Sequence, residues 1–237
     1  MTRRDTLQRL FPSGWQDDTV FDNGFAGTGR CDGESIRYIG VENATEVGVD
    51  QALAMARLVL DTVKQHARRA ILFLLDTQGQ RLRKRDELLG LNGYMAHLAK
   101  CVELARANNH PILSLVYGEA VSGGYLATGM MADACYALSD AQIQVMNLPS
   151  MARITKIPLG HLEQLSEHSP VFSPGVANYA QMGHLQEIWD GELAAKLKHA
   201  LMRVREARPA DQRMALGQQR GGRCVAYEVV QRVEHAA

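Results

Sequence analysis

The segment from Val116 to Asp133 carries the residue pattern with the clearest chemical use. Apolar residues that predict a buried strand lead to two consecutive glycines, Gly123 and Gly124, and small apolar residues that predict a helix follow them. Glycines let a backbone approach a ligand closely, and the first N–H groups of a helix have no intrahelical acceptor. The pattern therefore predicts main-chain donors for a developing oxyanion, where each donor contributes about 3 kcal/mol of transition-state stabilisation.

The same residues also have structural explanations. Gly123 and Gly124 can serve only the tight packing of a helix against a sheet. Ser122 is favoured as the N-cap of that helix. It is also a candidate nucleophile, because residues 120–124 read A-x-S-x-G, a variant of the serine-hydrolase elbow. The residues alone leave these alternatives open.

Apolar patterning predicts an α/β protein that places these glycines at a strand-to-helix turn. Continuous apolar runs predict buried strands at 70–75 and 111–117, and 3.6-residue spacing predicts helices at 49–68 and 85–107. Shorter strands are predicted at 35–41, 134–138, 143–146 and 185–189, and further helices after Gly118, at 173–183 and at 191–208. We expect residues 1–34 to form an irregular arm, 35–208 the domain, and 209–237 a mobile tail.

Composition excludes several classes of partner. The 26 basic and 26 acidic residues cancel and aromatic residues make up 6%, so neither an electrostatic nor a stacking surface for nucleic acid is expected. The uncharged stretch at 120–132 is shorter than the roughly 20 residues that a membrane span needs. The four cysteines lack close pairs, which predicts reduced thiols in the cytoplasm and no metal site.

Three motifs together resemble the carboxyltransferase branch of the crotonase superfamily. Residues 118–127 match its G-E-x-x-S-G-G-x-L-A, residues 132–137 match A/G-D-x-x-x-A, and residues 76–79 match D-T-x-G. Residues 75–126 and 172–183 resemble more closely the gamma subunits of biotin-independent malonate decarboxylases. The resemblance covers about residues 35–208 and implies an α/β fold, a crotonase-like spiral of ββα units with flanking helices.

The resemblance also implies a site and a reaction. Two peptide N–H groups of that fold bind a thioester carbonyl, and the matching catalytic positions are Gly79 and the pair Gly123 and Gly124, with Ser122 and Tyr125 as substrate-binding neighbours. In that family a homologous beta subunit joins the gamma subunit, and malonyl on the thioester-linked prosthetic group of an acyl-carrier protein loses CO2. An acyltransferase subunit is a further expected partner. The chain itself is expected to bind no cofactor, no biotin and no metal.

The expected chemistry agrees with the residues available. Loss of CO2 from a β-carbonyl acid needs donors for an enolate oxygen, and neither a nucleophile nor a nicotinamide is required. The enolate must then be protonated, for which His184, Tyr179 and Tyr125 are candidate donors.

Departures from other crotonase relatives weigh against their reactions. Hydratases carry a catalytic Glu where Leu126 and Ala127 stand. Peptidases of this fold need a histidine where Asn147 precedes Pro149, and Asn cannot act as a general base. His161 and His168 can replace it only in a different geometry. Two alternatives are therefore kept: a non-catalytic scaffold subunit of the same complex, and, more remotely, a serine peptidase using Ser122.

Overall fold

The computed structural model describes residues 1–168, 174–206, 211–222 and 224–236. Within these ranges, nine strands form one sheet that eleven α-helices flank. The strands are β1 (Trp15–Phe21), β2 (Gly24–Cys31), β3 (Glu34–Val41), β4 (Thr45–Val47), β5 (Ile71–Gln80), β6 (Ile112–Val121), β7 (Ala134–Leu138), β8 (Gln142–Gln144) and β9 (Glu187–Trp189). The helices are α1 (Arg3–Leu10), α2 (Val49–Gln65), α3 (Lys84–Leu88), α4 (Leu91–Ala107), α5 (Ser122–Leu126), α6 (Leu148–Thr155), α7 (Leu159–His168), α8 (Val176–Gln181), α9 (Leu193–Glu206), α10 (Arg213–Gln219) and α11 (Cys224–Ala236).

The sheet is built around the long parallel pair β5 and β6, whose first halves are buried and, apart from Ser114, apolar. Its order is β1-β2-β3-β5-β6-β7-β9, antiparallel from β1 to β3 and parallel from β3 onward. The first halves of β5 and β6 pair with β3 and β7, whereas their second halves pair with β4 and β8. Each of the two central strands is therefore long enough to pair with two successive shorter strands on its outer side. This arrangement confirms the expected α/β class with a parallel sheet.

The predicted helix at 85–107 is two helices. Gly90 adopts a left-handed conformation with φ +77°, which ends α3 and precedes α4. A buried carboxylate fixes α3 to the neighbouring helix, because Asp86 Oδ1 accepts the Val49 N–H at 2.9 Å in the first turn of α2. The periodic apolar face of residues 85–107 did not reveal this break.

The predicted irregular conformation of residues 1–34 is wrong. They form α1, β1 and β2, and Leu7, Leu10 and Phe25 are fully buried in the main core. Glycines concealed the strand pattern: a Cβ at Gly29 would lie 2.5 Å from the Phe11 ring, so only glycine permits this packing. The first strands therefore extend the same sheet.

The segment predicted as a C-terminal tail contains α10, which packs on the end of α8, and α11, which packs on α10. A Cβ at Gly183 would lie 2.3 Å from Gly217 N, so the two backbones are in direct contact. Arg220 anchors the end of α10 by donating to the carbonyl oxygens of Ala180, Leu185 and Gln186. These hydrogen bonds are long-range, which sequence periodicity cannot predict.

Several predicted boundaries also moved. Helix α8 begins at Val176 rather than at 173, and residue 173 lies outside the described residues, as does residue 208 at the predicted end of α9. All four cysteines are free, and one of them, Cys224, is exposed. In the described residues, no helix is long and apolar enough to cross a bilayer, and no group of acidic, His and Cys residues is arranged to hold a metal ion.

Candidate active site

The structure brings Gly79, Gly123 and Gly124 together at one edge of the sheet. Since β5 and β6 are parallel neighbours, the end of β5 meets the start of α5, which follows β6 directly. A Cβ at Gly124 would lie 2.9 Å from Thr77 Oγ1 and 3.0 Å from the Gly79 carbonyl carbon. The glycines therefore permit the tight packing of α5 against β5, which was one of the alternative explanations for them. The same close packing places Gly79 beside the turn between β6 and α5.

The main-chain N–H of Gly79 is already hydrogen-bonded. It donates to Thr77 Oγ1 at 3.0 Å, and the Thr77 hydroxyl itself donates to the Thr45 carbonyl at 2.7 Å. Gly79 has φ +102°, and a Cβ there would lie 3.1 Å from the Val121 carbonyl oxygen. In this structure Gly79 provides a left-handed conformation and a close approach, and its N–H is not the free donor that the family resemblance implied.

The N–H of Gly123 faces a side chain that the sequence analysis did not single out. It donates to Gln80 Oε1 at 2.9 Å, so an amide carbonyl oxygen occupies the acceptor position. Gln80 is half-buried, and its side chain is the nearest group to a Cβ built at Gly123, 2.8 Å away. Gly124 lies in the first turn of α5, where N–H groups have no intrahelical acceptor. The only sequence signal for Gln80 was its place directly after Gly79.

Ser122 is not the N-cap that the sequence favoured. Val121 takes the N-cap position, no side chain caps the helix, and Ser122 itself has φ +46°. Such a conformation in a residue with a Cβ is strained, at a cost of about 1–3 kcal/mol. Strained residues of this kind concentrate at functional sites, which keeps Ser122 a candidate substrate contact.

The serine-peptidase alternative gains no base from the described residues at the positions that the sequence offered, and the side chain of His168 lies outside the described residues. Asn147 caps α6, since its Oδ1 accepts the Ser150 N–H at 2.8 Å. His161 is exposed on α7, and His184 is hydrogen-bonded to Tyr125 instead.

The three candidate proton donors meet beneath α5. Tyr125 Oη lies 2.5 Å from His184 Nε2, and the Tyr179 ring packs edge-on against the imidazole with centroids 5.9 Å apart. Burial lowers the pKa of His184 to about 4, so the imidazole is neutral at pH 7. Burial also raises the pKa of Tyr125 well above its usual value, which keeps the phenol protonated. The pair is therefore an uncharged hydrogen-bonded couple behind the glycine turn.

The aspartates of the quoted motifs hold backbone in place. Asp76 accepts the N–H groups of Ala44 and Glu119 at 3.0 and 2.9 Å. Asp133 accepts the Ile112 N–H at 2.8 Å and pairs with the Arg106 guanidinium at 2.9 Å. Both carboxylates thereby hold β6, the strand that leads into the glycine turn: Asp133 at its start and Asp76 near its end.

Comparison with known proteins decides the family. The family model described as "Malonate decarboxylase gamma subunit" matches residues 42–237. The chain belongs to the malonate decarboxylase gamma-subunit family. A relative of this gamma-subunit chain, the malonyl-S-ACP:biotin-protein carboxyltransferase MADD of Malonomonas rubra, is 34% identical over 204 residues, which cover 78% of this chain and 70% of that protein.

Solved structures agree with the fold of this gamma-subunit chain. A chain of a Pseudomonas malonate decarboxylase hetero-tetramer in complex with coenzyme A superposes with TM-score 0.79 at 24% identity, over 100% of this chain and 98% of that one. A chain of the transcarboxylase 12S hexamer superposes with TM-score 0.73 at 19% identity, over 87% and 43% of the two chains. The crotonase-like carboxyltransferase fold expected from the motifs is confirmed.

Proposed function

We propose that this gamma-subunit chain, together with a homologous beta subunit, converts a malonyl thioester on an acyl-carrier protein to the acetyl thioester and CO2. Family membership supports the complex, and the M. rubra relative is by name a malonyl-S-ACP carboxyltransferase. The observation that carries the mechanism is the carbonyl oxygen of Gln80 on the Gly123 N–H, at 2.9 Å. It stands where a thioester carbonyl oxygen would accept the same hydrogen bond.

In the proposed reaction the thioester carbonyl displaces Gln80 Oε1. Its oxygen accepts hydrogen bonds from the N–H groups of Gly123 and Gly124. The bond between the α-carbon and the carboxylate then breaks, and its electron pair forms an enolate whose oxygen carries the negative charge. Preorganised donors stabilise that charge more strongly than the neutral carbonyl of the ground state, which accelerates the step. A proton added to the α-carbon completes the acetyl group.

The neighbouring residues have supporting roles in this proposal. Gly79 allows α5 to approach β5, because any Cβ there meets the backbone of Val121. Ser122, whose backbone is strained directly before the glycine pair, contacts the thioester. Tyr125 holds α5 in place through its buried hydrogen bond to His184. The reacting group arrives on the prosthetic group of the carrier, so this chain needs no resident cofactor and no biotin. An acyltransferase subunit reloads the carrier, and we place the complex in the cytoplasm.

The test is the decarboxylation rate of the co-expressed gamma and beta subunits with malonyl-carrier as substrate. In the variant Gly123→Val the new Cβ first meets the side chain of Gln80, whose amide end can move, so we expect the complex to assemble while the acceptor position is blocked. We expect CO2 release to fall by about 100-fold or more. The matched control is Gly93→Val in the first turn of α4, where a Cβ meets open space.

Each alternative has its own outcome in the same experiment. Full activity of an intact Gly123→Val complex would contradict the mechanism and favour a scaffold role. Labelling of Ser122 by a fluorophosphonate probe would instead support the peptidase.

A further inference from the structure

The proposed donors lie on two consecutive glycines, and glycine restrains a backbone less than any other residue does. The N–H of Gly124 stabilises an enolate well only if its direction is fixed before the reaction, because preorganised donors cost no reorganisation when the charge develops. The side chains around Gly124 must therefore supply the restraint that the glycine itself lacks.

The Thr77 hydroxyl supports Gly124 from the side of β5. A Cβ at Gly124 would lie 2.9 Å from Thr77 Oγ1, so the Gly124 Cα packs directly on this oxygen. Thr77 is fully buried, and its hydroxyl donates to the Thr45 carbonyl at 2.7 Å and accepts the Gly79 N–H at 3.0 Å. Both partners are main-chain atoms, one in β4 and one in β5, and together they hold the oxygen in place.

The Thr128 hydroxyl holds the same glycine from the other end of α5. It donates to the Gly124 carbonyl at 2.7 Å, whereas the main-chain N–H of Thr128 donates to the Tyr125 carbonyl at 3.2 Å. Helix α5 ends at Leu126, and the last carbonyls of a helix have no intrahelical donors. The Thr128 hydroxyl satisfies one of these carbonyls, and because Thr128 is fully buried, water does not compete for the bond.

We propose that Thr77 and Thr128 are positioning residues, whose hydroxyl groups together fix the direction of the Gly124 N–H. The proposal rests on the proposed decarboxylation, in which this N–H donates to the thioester oxygen. Both hydroxyls are buried and bound to main-chain atoms, so they act through Gly124 and not on the substrate. A misdirected Gly124 N–H weakens the stabilisation of the enolate more than the binding of the neutral thioester, which lowers kcat more than it changes KM.

The test replaces each threonine by valine, which has a similar shape but no hydroxyl. Decarboxylation of malonyl-carrier by the co-expressed gamma and beta subunits is measured per folded complex. We expect Thr77→Val and Thr128→Val each to lower kcat by about tenfold or more, while KM changes by less than about threefold. Serine keeps the hydroxyl, so Thr77→Ser and Thr128→Ser should retain kcat within about threefold.

The matched control is Thr62→Val in α2. Thr62 is also buried, and its hydroxyl donates to the Leu58 carbonyl at 2.8 Å, so this variant loses a similar hydrogen bond outside the site. All three valine variants should unfold at lower urea concentrations than the wild type, but Thr62→Val should keep the wild-type kcat. If Thr77→Val and Thr128→Val lose stability and also keep the wild-type kcat, the two threonines have only a structural role and the proposal is overturned.

A second measurement does not depend on the proposed reaction. In the ¹⁵N-glycine-labelled full chain, the amide resonance of Gly124 reports on the geometry of its N–H. We expect this resonance to move in Thr77→Val and in Thr128→Val, to stay close to its wild-type position in the serine variants, and not to move in Thr62→Val. An unmoved Gly124 resonance in both site variants would overturn the positioning role, whereas a wild-type complex that releases no CO2 would contradict only the proposed function.

Discussion

Gln80 Oε1 accepts the Gly123 N–H at 2.9 Å, so a side chain at the end of β5 occupies the main-chain donor at the start of α5. The parallel pairing of β5 with β6 makes this contact between residues 43 positions apart. The donor is therefore preformed, and in the absence of a substrate an internal carbonyl satisfies it.

Removing the Gln80 side chain should leave the Gly123 N–H free to bind the substrate. In Gln80→Ala the substrate carbonyl no longer competes with an internal acceptor, so KM for the malonyl-carrier should fall by about threefold to tenfold with little change in kcat. Gln80→Glu places a charged acceptor on the same N–H and should raise KM instead. Steady-state kinetics of the co-expressed complex measure both. Equal KM values in the wild type and the two variants would show that Gln80 does not compete with substrate.

A Cβ at position 124 should be costly because two of its three nearest neighbours are backbone atoms. Gly124→Ala sets a methyl group 3.0 Å from the Gly79 carbonyl carbon and oxygen, and we expect the free energy of unfolding to fall by about 1–3 kcal/mol. Gly93→Ala in α4 faces open space and should be neutral or slightly stabilising. Urea unfolding of the full chain compares the two, and equal midpoints would contradict the close contact of α5 with β5.

The contrast between these glycines shows what the sequence could predict. The apolar runs of β5 and β6 and the glycine pair after them were recognisable, because burial on both faces and missing side chains leave local patterns. Gln80 was not recognisable, because a polar residue at the end of a strand can have many roles. Its contact with Gly123 depends on the pairing of β5 with β6, which the local sequence does not reveal. The strand β2 and the helices α10 and α11 were also missed because long-range contacts define them. Gly29 in β2 is required by its contact with Phe11, and Gly183 is required by its contact with Gly217 in α10.

The strain at Ser122 predicts the effect of two small substitutions. Ser122→Gly relieves the positive φ of 46° and should raise the free energy of unfolding by about 1 kcal/mol. Ser122→Ala keeps the strain and should leave stability unchanged. Because we assign Ser122 a contact and not a nucleophilic role, Ser122→Ala should retain decarboxylation within about tenfold. Complete loss of activity in Ser122→Ala would favour covalent catalysis.

His184 should make stability depend on pH. Its pKa is about 4 in the folded chain and near 6.5 when exposed, so between these values the unfolded state binds more protons. Stability is therefore lost as pH falls from 6.5 to 4, by about 3 kcal/mol from this group. Other groups also titrate in this range, so the measurement is the difference between wild type and His184→Gln in urea unfolding at several pH values. Parallel stability curves for the two proteins would mean that the fold does not lower the pKa of His184.

The central claim is that the Gly123 N–H stabilises the enolate, and one atom tests it most directly. A backbone ester introduced at position 123 by α-hydroxy-acid incorporation replaces this N–H by oxygen while keeping the shape of the turn. The matched control is the same ester at Gly160, in the first turn of the exposed helix α7. We predict that the ester at 123 lowers kcat for CO2 release by about 100-fold to 1,000-fold and that the ester at 160 leaves it unchanged. Equal rates for the two esters would contradict the account.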